Sequence, residues 1–271
     1  MKEKTSVART ILTMKQKQYI TPHFIRVILT GDDLDLFADA VVGVNNKIFI
    51  PPSGVKDVHF PASNDQANQP LEKDRAIIRT YTHRGIDLEK KELTIDFVNH
   101  GETGPASSWA LNASIGDPLG VAMKIGKTEL YPPADWYLLV GDATAIPVLS
   151  AIMESLPSHA KGIAIIEVHG KEDEQALFTK ADIAVRWLHN PHPEKGSELA
   201  NAVKQVPISK KEESTCFGYI AAEFSSVKDI RQYLRKDKLW TKEELYAYSY
   251  WKAGVAEDQS VIDRRKEKES I

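Results

Sequence analysis

The chain changes rhythm once, after "KTELYPPAD" (residues 127–135), and this break constrains its fold more than any other feature. Before it, runs rich in β-branched and aromatic residues follow one another closely: "VARTILTMKQ", "HFIRVILTG", "NNKIFIPP", "AIIRTYT", "ELTIDFVNH" and "DPLGVAMKIG". Such runs read as strands, with a break at Thr21 and Pro22. One helix is expected, "GPASSWALNA", and the long polar segment of residues 51–74 reads as a surface excursion. Strands in close succession predict an antiparallel barrel or sandwich. After the break, strand-like and helix-like runs alternate: "WYLLVGD", "TAIPVLSAIMESL", "KGIAIIEV", "IAVRWLHN", "SELANAVKQV", "CFGYIAAE" and "SVKDIRQYLRK". That alternation predicts a parallel sheet covered by helices. Ser226 with Asp229 and Thr241 with Glu244 have the spacing of helix-start capping boxes. The expected organisation is a β domain at residues 1–128 and an α/β domain at 129–271, with Pro132 and Pro133 near the junction.

Two domains of these types suggest two ligands, because open parallel sheets bind nucleotides beyond the carboxyl ends of their strands. The formal charge of −3 over 271 residues argues against nucleic acid as a partner, so any anion site must be a local basic cluster. Cys216 is the only cysteine. An internal disulfide and a cysteine-cluster metal site are therefore excluded, and a reducing compartment is expected. "MKEKTSVART" has no apolar leader core, and no run approaches membrane-spanning length. A cytoplasmic monomer without membrane contact is the expectation.

Three stretches carry candidate chemistry. In "RTYT", alternation puts Arg79 and Tyr81 on one face and Thr80 and Thr82 on the other. A guanidinium grips phosphate in a bidentate way, a tyrosine ring stacks on a planar heterocycle, and a hydroxyl can reach a ring nitrogen. On these four residues alone, a solvated edge strand with a surface arginine is the favoured alternative. "HGETGPASSWA" (residues 100–110) follows a strand directly. Gly101 and Gly104 allow a tight turn, Pro105 suits a first helical turn, and Ser107 and Ser108 lie near the helix start, where N–H groups and the positive dipole end favour an anion. A well-capped structural helix is the competing reading. In "LLVGDATAIP" (residues 138–147) a buried strand ends at Gly141, and Asp142, Ala143 and Thr144 lead into a helix. This is the nucleotide position of a parallel sheet, without the G-x-G-x-x-G pattern, and an ordinary capped turn is the likelier reading by itself.

Taken in order, Arg79-x-Tyr81-Thr82, then His100-Gly101-x-x-Gly104-Pro105-Ala106-Ser107-x-Trp109-Ala110, then Gly141-Asp142-x-Thr144-Ala145-x-Pro147, and finally Tyr250-Trp251-Lys252-x-Gly254 resemble the siderophore-interacting protein family, flavin-dependent ferric-siderophore reductases of the ferredoxin-reductase-like superfamily. The resemblance implies an N-terminal antiparallel FAD-binding β-barrel and a C-terminal Rossmann-like NAD(P)-binding domain. Arg79 would contact the FAD diphosphate, Tyr81 would stack near the isoalloxazine, and Thr82 would approach its N5 edge. Gly104, Ala106 and Ser107 would cradle the diphosphate. Thr80, Asp96, Val98, His100 and Pro105 join the expected FAD-binding set. Trp251 belongs to a C-terminal segment expected to return to the flavin pocket. Gly141, Asp142, Thr144 and Ala145 would lie where the nicotinamide dinucleotide docks.

The implied cofactors are FAD and, as co-substrate, NADH or NADPH. Glu167 ends a strand where such folds select between the two, and a carboxylate there suits a ribose 2′-OH. His169, Lys171 and Arg186 could supply the opposite preference. The implied substrate is a ferric siderophore, often an anion, and Lys47, Arg84, Lys252, Arg264 and Arg265 are candidate basic contacts, each also readable as an ordinary surface charge. Ferredoxin is an alternative electron donor. Two other functions stay open at this point: a general flavin reductase or ferredoxin-type electron transferase, and a ferric-siderophore binding protein without turnover.

Overall fold

The computed structural model of the chain describes residues 6–52, 54–55, 57–60, 74–126, 128–208 and 215–269. It divides into two compact units, Met1–Thr128 and Glu129–Ile271.

The first unit is an antiparallel sheet of seven strands: β1 (Ser6–Thr21), β2 (Phe24–Thr30), β3 (Asn45–Ile50), β4 (Ile77–Thr82), β5 (Gly85–Asp87), β6 (Glu92–Val98) and β7 (Pro118–Ile125). Their spatial order is β4-β3-β7-β1-β2-β6-β5. The two outermost strands are consecutive in sequence. Residues 77–82 pair with β3, and after His83 and Arg84 the same extended run pairs with β6. The Arg84 N–H already donates to the Thr94 carbonyl at 3.1 Å. One run of chain therefore joins both edges and curls the sheet toward a barrel.

Alternation along the strands sends Leu12, Met14, Val27, Leu29, Ile48, Ile95 and Phe97 into one core. Each such side chain contributes about 1.5–3 kcal/mol on burial. Helix α1 (Pro105–Asn112) adds Ala106 and Ala110 to that core. A short 3-10 helix, Asp32–Phe37, adds Leu34 and Phe37, and no expectation had placed it. The polar excursion is not wholly solvated. Val58 and Phe60 pack with Phe49 and Ala122 in a small apolar cluster, although residues 53, 56 and 61–73 lie outside the described chain.

The second unit is a five-stranded parallel sheet: β8 (Trp136–Asp142), β9 (Lys161–Val168), β10 (Asp182–His189), β11 (Cys216–Glu223) and β12 (Leu245–Trp251), in the order β10-β9-β8-β11-β12. Helices α2 (Ile146–Ser155), α3 (Leu199–Lys204) and α4 (Phe224–Gln232) connect the strands. The chain builds outward from β8 to β10 and then restarts on the other side with β11. The switch point of the sheet thus lies between β8 and β11.

Two capping expectations need correction. The cap of α4 is Glu223, whose carboxylate accepts the Ser225 N–H, and Ser226 lies buried inside the helix. Thr241 N–H does donate to Glu244 at 2.6 Å, but the segment is a turn leading into β12. The charged C-terminal run forms a helix, α5 (Glu257–Glu269). Among the described residues, no helix is long and apolar enough to cross a membrane.

Candidate functional site

In the first unit the site begins with β4. Register places Lys47 opposite Thr80, and their side chains hydrogen-bond. Tyr81 lies opposite Asn46, and its ring meets Phe97 at 4.5 Å, with Trp109 of α1 5.7 Å beyond Phe97. Arg79 is partly exposed, and its Nη1 donates to the Ile78 carbonyl. Thr82 is buried.

The turn before α1 is shaped by contact. A Cβ on Gly104 would lie 2.3 Å from the exposed His100 ring, so a larger residue there would displace that ring from the helix start. Gly104 caps α1 without a side-chain hydrogen bond, Pro105 occupies the first turn, and no acidic residue is present there. The first N–H groups of the helix therefore have no intrahelical acceptor and no carboxylate neighbour in that turn. The Ser107 hydroxyl is fully buried and accepts the His100 N–H at 3.1 Å.

Two expected residues have other work. Asp96 is buried and takes a bidentate grip from Arg26 at 2.7 and 2.8 Å, with Arg84 at 3.8 Å. Its carboxylate closes this internal ion cluster and is not presented to a ligand. Arg84 is turned to the same carboxylate, with only 16% of its side chain exposed. Val98 ends β6 half-buried. Asn46 and His83, absent from the expected set, are both buried, and none of their side-chain N and O atoms has a hydrogen-bond partner among the described residues. His83 lies two residues past Tyr81 and so shares its strand face, whereas Asn46 meets Tyr81 only through the pairing of β3 with β4.

In the second unit the strand ends at the switch point carry three buried carboxylates. A Cβ on Gly141 would lie 2.5 Å from the Ala145 Cβ and 2.8 Å from the Ala221 carbonyl, so glycine allows β8, β11 and the following turn to meet. Asp142 accepts from Thr144 N–H at 2.9 Å, the Thr144 hydroxyl, Glu223 N–H at 2.9 Å and Trp251 Nε1 at 2.7 Å. Burial pushes its pKa up against the pull of these donors. Glu167 accepts from Asn190 at 3.1 Å and Ser197 at 2.8 Å, and burial raises its pKa too. Glu223 accepts from the N–H groups of Ser225 and Ala253. Ala145 is fully buried. A cleft of about 350 Å³ lies beside these ends, lined by Glu194, Lys195, Ser197, Glu223, Ser226 and Asp229 among others.

The C-terminal cations are already engaged. Lys252 pairs with Asp263 at 2.8 Å and lies over the Phe224 ring. Arg264 is buried, and its guanidinium ties α5 to the Ser249 and Tyr250 carbonyls of β12. That placement makes Arg264 a staple of the unit and removes it from the candidate substrate contacts. The side chain of Arg265 lies outside the described residues. Of the expected basic set, Lys47 stands on an exposed position.

The pattern of the siderophore-interacting FAD-binding domain matches residues 13–125, and that of the siderophore-interacting protein matches residues 134–254. The ferric vibriobactin reductase ViuB of Vibrio cholerae is 34% identical over 249 residues, covering 92% of this chain and 91% of its own. The chain belongs to the siderophore-interacting protein family. Among solved siderophore-interacting proteins, SipS from Aeromonas hydrophila superposes with a TM-score of 0.81 at 30% identity, covering 96% of this chain and 98% of that one. A siderophore utilization protein from T. fusca gives 0.80 at 29% identity, covering 93% and 97%. The fold is the two-domain ferredoxin-reductase-like arrangement, which more distant likenesses share.

As a siderophore-interacting protein, the chain has a FAD-binding first unit. The residues present fit that cofactor. A helix start without a side-chain cap, and a guanidinium and an aromatic ring on one strand face of the same unit, are groups that a diphosphate and a flat ring require. A nicotinamide dinucleotide as co-substrate fits the parallel-sheet unit.

Proposed function

We propose that this protein is a ferric-siderophore reductase that accepts electrons from a nicotinamide dinucleotide. The observation that carries the reading is Arg79 and Tyr81 on a strand of the same unit as an uncapped α1 start, in a chain whose relative ViuB is named a ferric vibriobactin reductase. Bound FAD supplies the step from two-electron to one-electron transfer that Fe³⁺ requires. Arg79 and the first N–H groups of α1 hold the diphosphate. Tyr81, backed by Phe97, offers the stacking face, and Thr82 approaches the ring edge.

Lys47 holds the anionic chelate. Its ammonium sits on the exposed face of β3, beside Thr80. Siderophores bind Fe³⁺ through hard oxygen donors, and the lower charge of Fe²⁺ weakens that hold, so reduction releases the metal without a protein ligand for iron. A lone cysteine suits a reducing compartment, which supports a cytoplasmic place of work.

The test is an anaerobic visible spectrum of purified protein as NADH or NADPH, and then a ferric tris-catecholate, is added. Flavin bands that bleach with a nucleotide and return with the chelate support the reductase and name its donor. Flavin that bleaches only with dithionite, yet is reoxidised by the chelate, keeps the reductase and moves the donor to a ferredoxin-type protein. A protein that cannot be loaded with FAD defeats the reading.

A further inference from the structure

Asn46 and His83 share a strand face with Tyr81. Asn46 lies directly opposite Tyr81 in the β3–β4 register, and directly opposed residues of an antiparallel pair project to one side. His83 follows Tyr81 by two residues, and its N–H continues the pairing by donating to the Val44 carbonyl at 2.8 Å, so it returns to that side. Asn46 is 2% exposed and His83 0%. The Asn46 amide nitrogen and oxygen and both His83 ring nitrogens have no hydrogen-bond partner among the described residues.

Leaving one such buried group unsatisfied costs about 1–3 kcal/mol. Apolar side chains of similar size would avoid that cost, as Ile48 and Ile50 do on the same face of β3. The two polar residues are concentrated beside one aromatic ring, whose other neighbour is Phe97. Burial holds the His83 pKa down at about 4, so the imidazole is neutral near pH 7 and adds dipoles to the wall without a charge.

We propose that Asn46 and His83 are positioning residues of the flavin site: a polar pair flanking Tyr81 on its own strand face that sets the polarity of the wall behind the ring system stacked on it. The pair acts through Tyr81 and its strand, and neither side chain reaches solvent. This inference rests on the FAD reading above.

The experiment uses the full chain in two forms. Wild-type protein labelled with ¹⁵N-histidine is titrated with FAD, the His83 signals being assigned by their loss in His83→Leu. The expected result is a change in the Nδ1 and Nε2 shifts of His83 that saturates with one FAD per chain. In parallel, the midpoint potential of bound FAD is measured in the double variant Asn46→Val/His83→Leu. The expected result is at least a tenfold change in the ratio of affinities for reduced and oxidised FAD, about 30 mV for a two-electron couple. FAD bound at full stoichiometry with unmoved His83 signals overturns the proposal, as does an unmoved potential in a folded double variant. Should the double variant fail to fold, the wild-type titration decides alone. Failure of wild-type protein to bind FAD would overturn the FAD reading and this inference with it, and is told apart from the other outcomes by the missing flavin spectrum.

Discussion

At the end of β8, Asp142 receives hydrogen bonds from Thr144, Glu223 and Trp251, all from its own unit. At the end of β4, the buried side chains of His83 and its neighbour Asn46 receive none among the described residues. The difference extends to the helix starts. Glu223 caps α4 with its own carboxylate, whereas Gly104 leaves α1 without a side-chain cap. In the second unit the Asp142 and Glu223 carboxylates at the strand ends are satisfied from within that unit. The first unit keeps buried polar atoms without partners among the described residues beside Tyr81, and a helix start without a side-chain cap. Self-satisfied groups build a frame. Unsatisfied ones carry a standing cost that a bound partner can remove.

That contrast can be broken by substitution. The largest effect is expected at Asp142. Asp142→Ala leaves the N–H groups of Thr144 and Glu223 and the indole N–H of Trp251 without their acceptor, and should lower unfolding stability by about 3 kcal/mol or more. FAD affinity should hold. A denaturation midpoint equal to wild type would show that these donors find other partners and that the frame is not built as described.

Next comes His83. Its folded pKa lies below the ordinary histidine value, so the unfolded chain takes up a proton first as pH falls. Stability should therefore be fully present above about pH 6.5 and decline as pH drops toward 4, by roughly 3 kcal/mol in all. His83→Leu should lose that part of the slope. Parallel stability–pH curves for the two proteins would place the protonation elsewhere.

Arg79→Ala follows. Losing a charge-assisted contact to a diphosphate costs about 1.5–3 kcal/mol, which is roughly 10- to 100-fold in Kd for FAD. Quenching of flavin fluorescence on titration measures it. The smallest effect belongs to Lys47→Ala. An exposed charge contributes on the order of 1 kcal/mol, so KM for an anionic ferric chelate should rise about fivefold at low salt and less at high salt, with FAD still bound. Unchanged kinetics would remove Lys47 from the substrate site.

The same contrast explains what the sequence made legible. The rhythm change placed both sheets, because periodicity and β-branched content report on backbone pairing that tertiary contacts then reinforce. The α1 turn was readable from Gly101, which takes a positive φ, and Pro105, whose backbone limits are local. What escaped depended on partners distant in sequence. Asp96 lies 70 residues from Arg26, and only pairing of β2 with β6 shows that it serves an internal cluster. Arg264 read as a surface charge until β12 offered it carbonyls. Ser226 had the spacing of a cap, but Glu223, at the end of β11, reached the N–H groups first. Asn46 and His83 looked unremarkable because nothing in a linear reading says that an inward-facing polar side chain will be left without a partner.

The run of chain from Ile77 to Asp87 belongs to both edges of the first sheet and also carries Arg79, Tyr81 and Thr82. On the proposed FAD reading, opening the barrel at this seam and letting go of the cofactor are coupled events. Saturating FAD should slow hydrogen exchange at the Arg84 amide and at the β3–β4 amides together, as one cooperative segment, while the β1–β2 amides across the sheet exchange at a rate set by global unfolding. On that reading the hold on the flavin is at the same time the latch of the barrel.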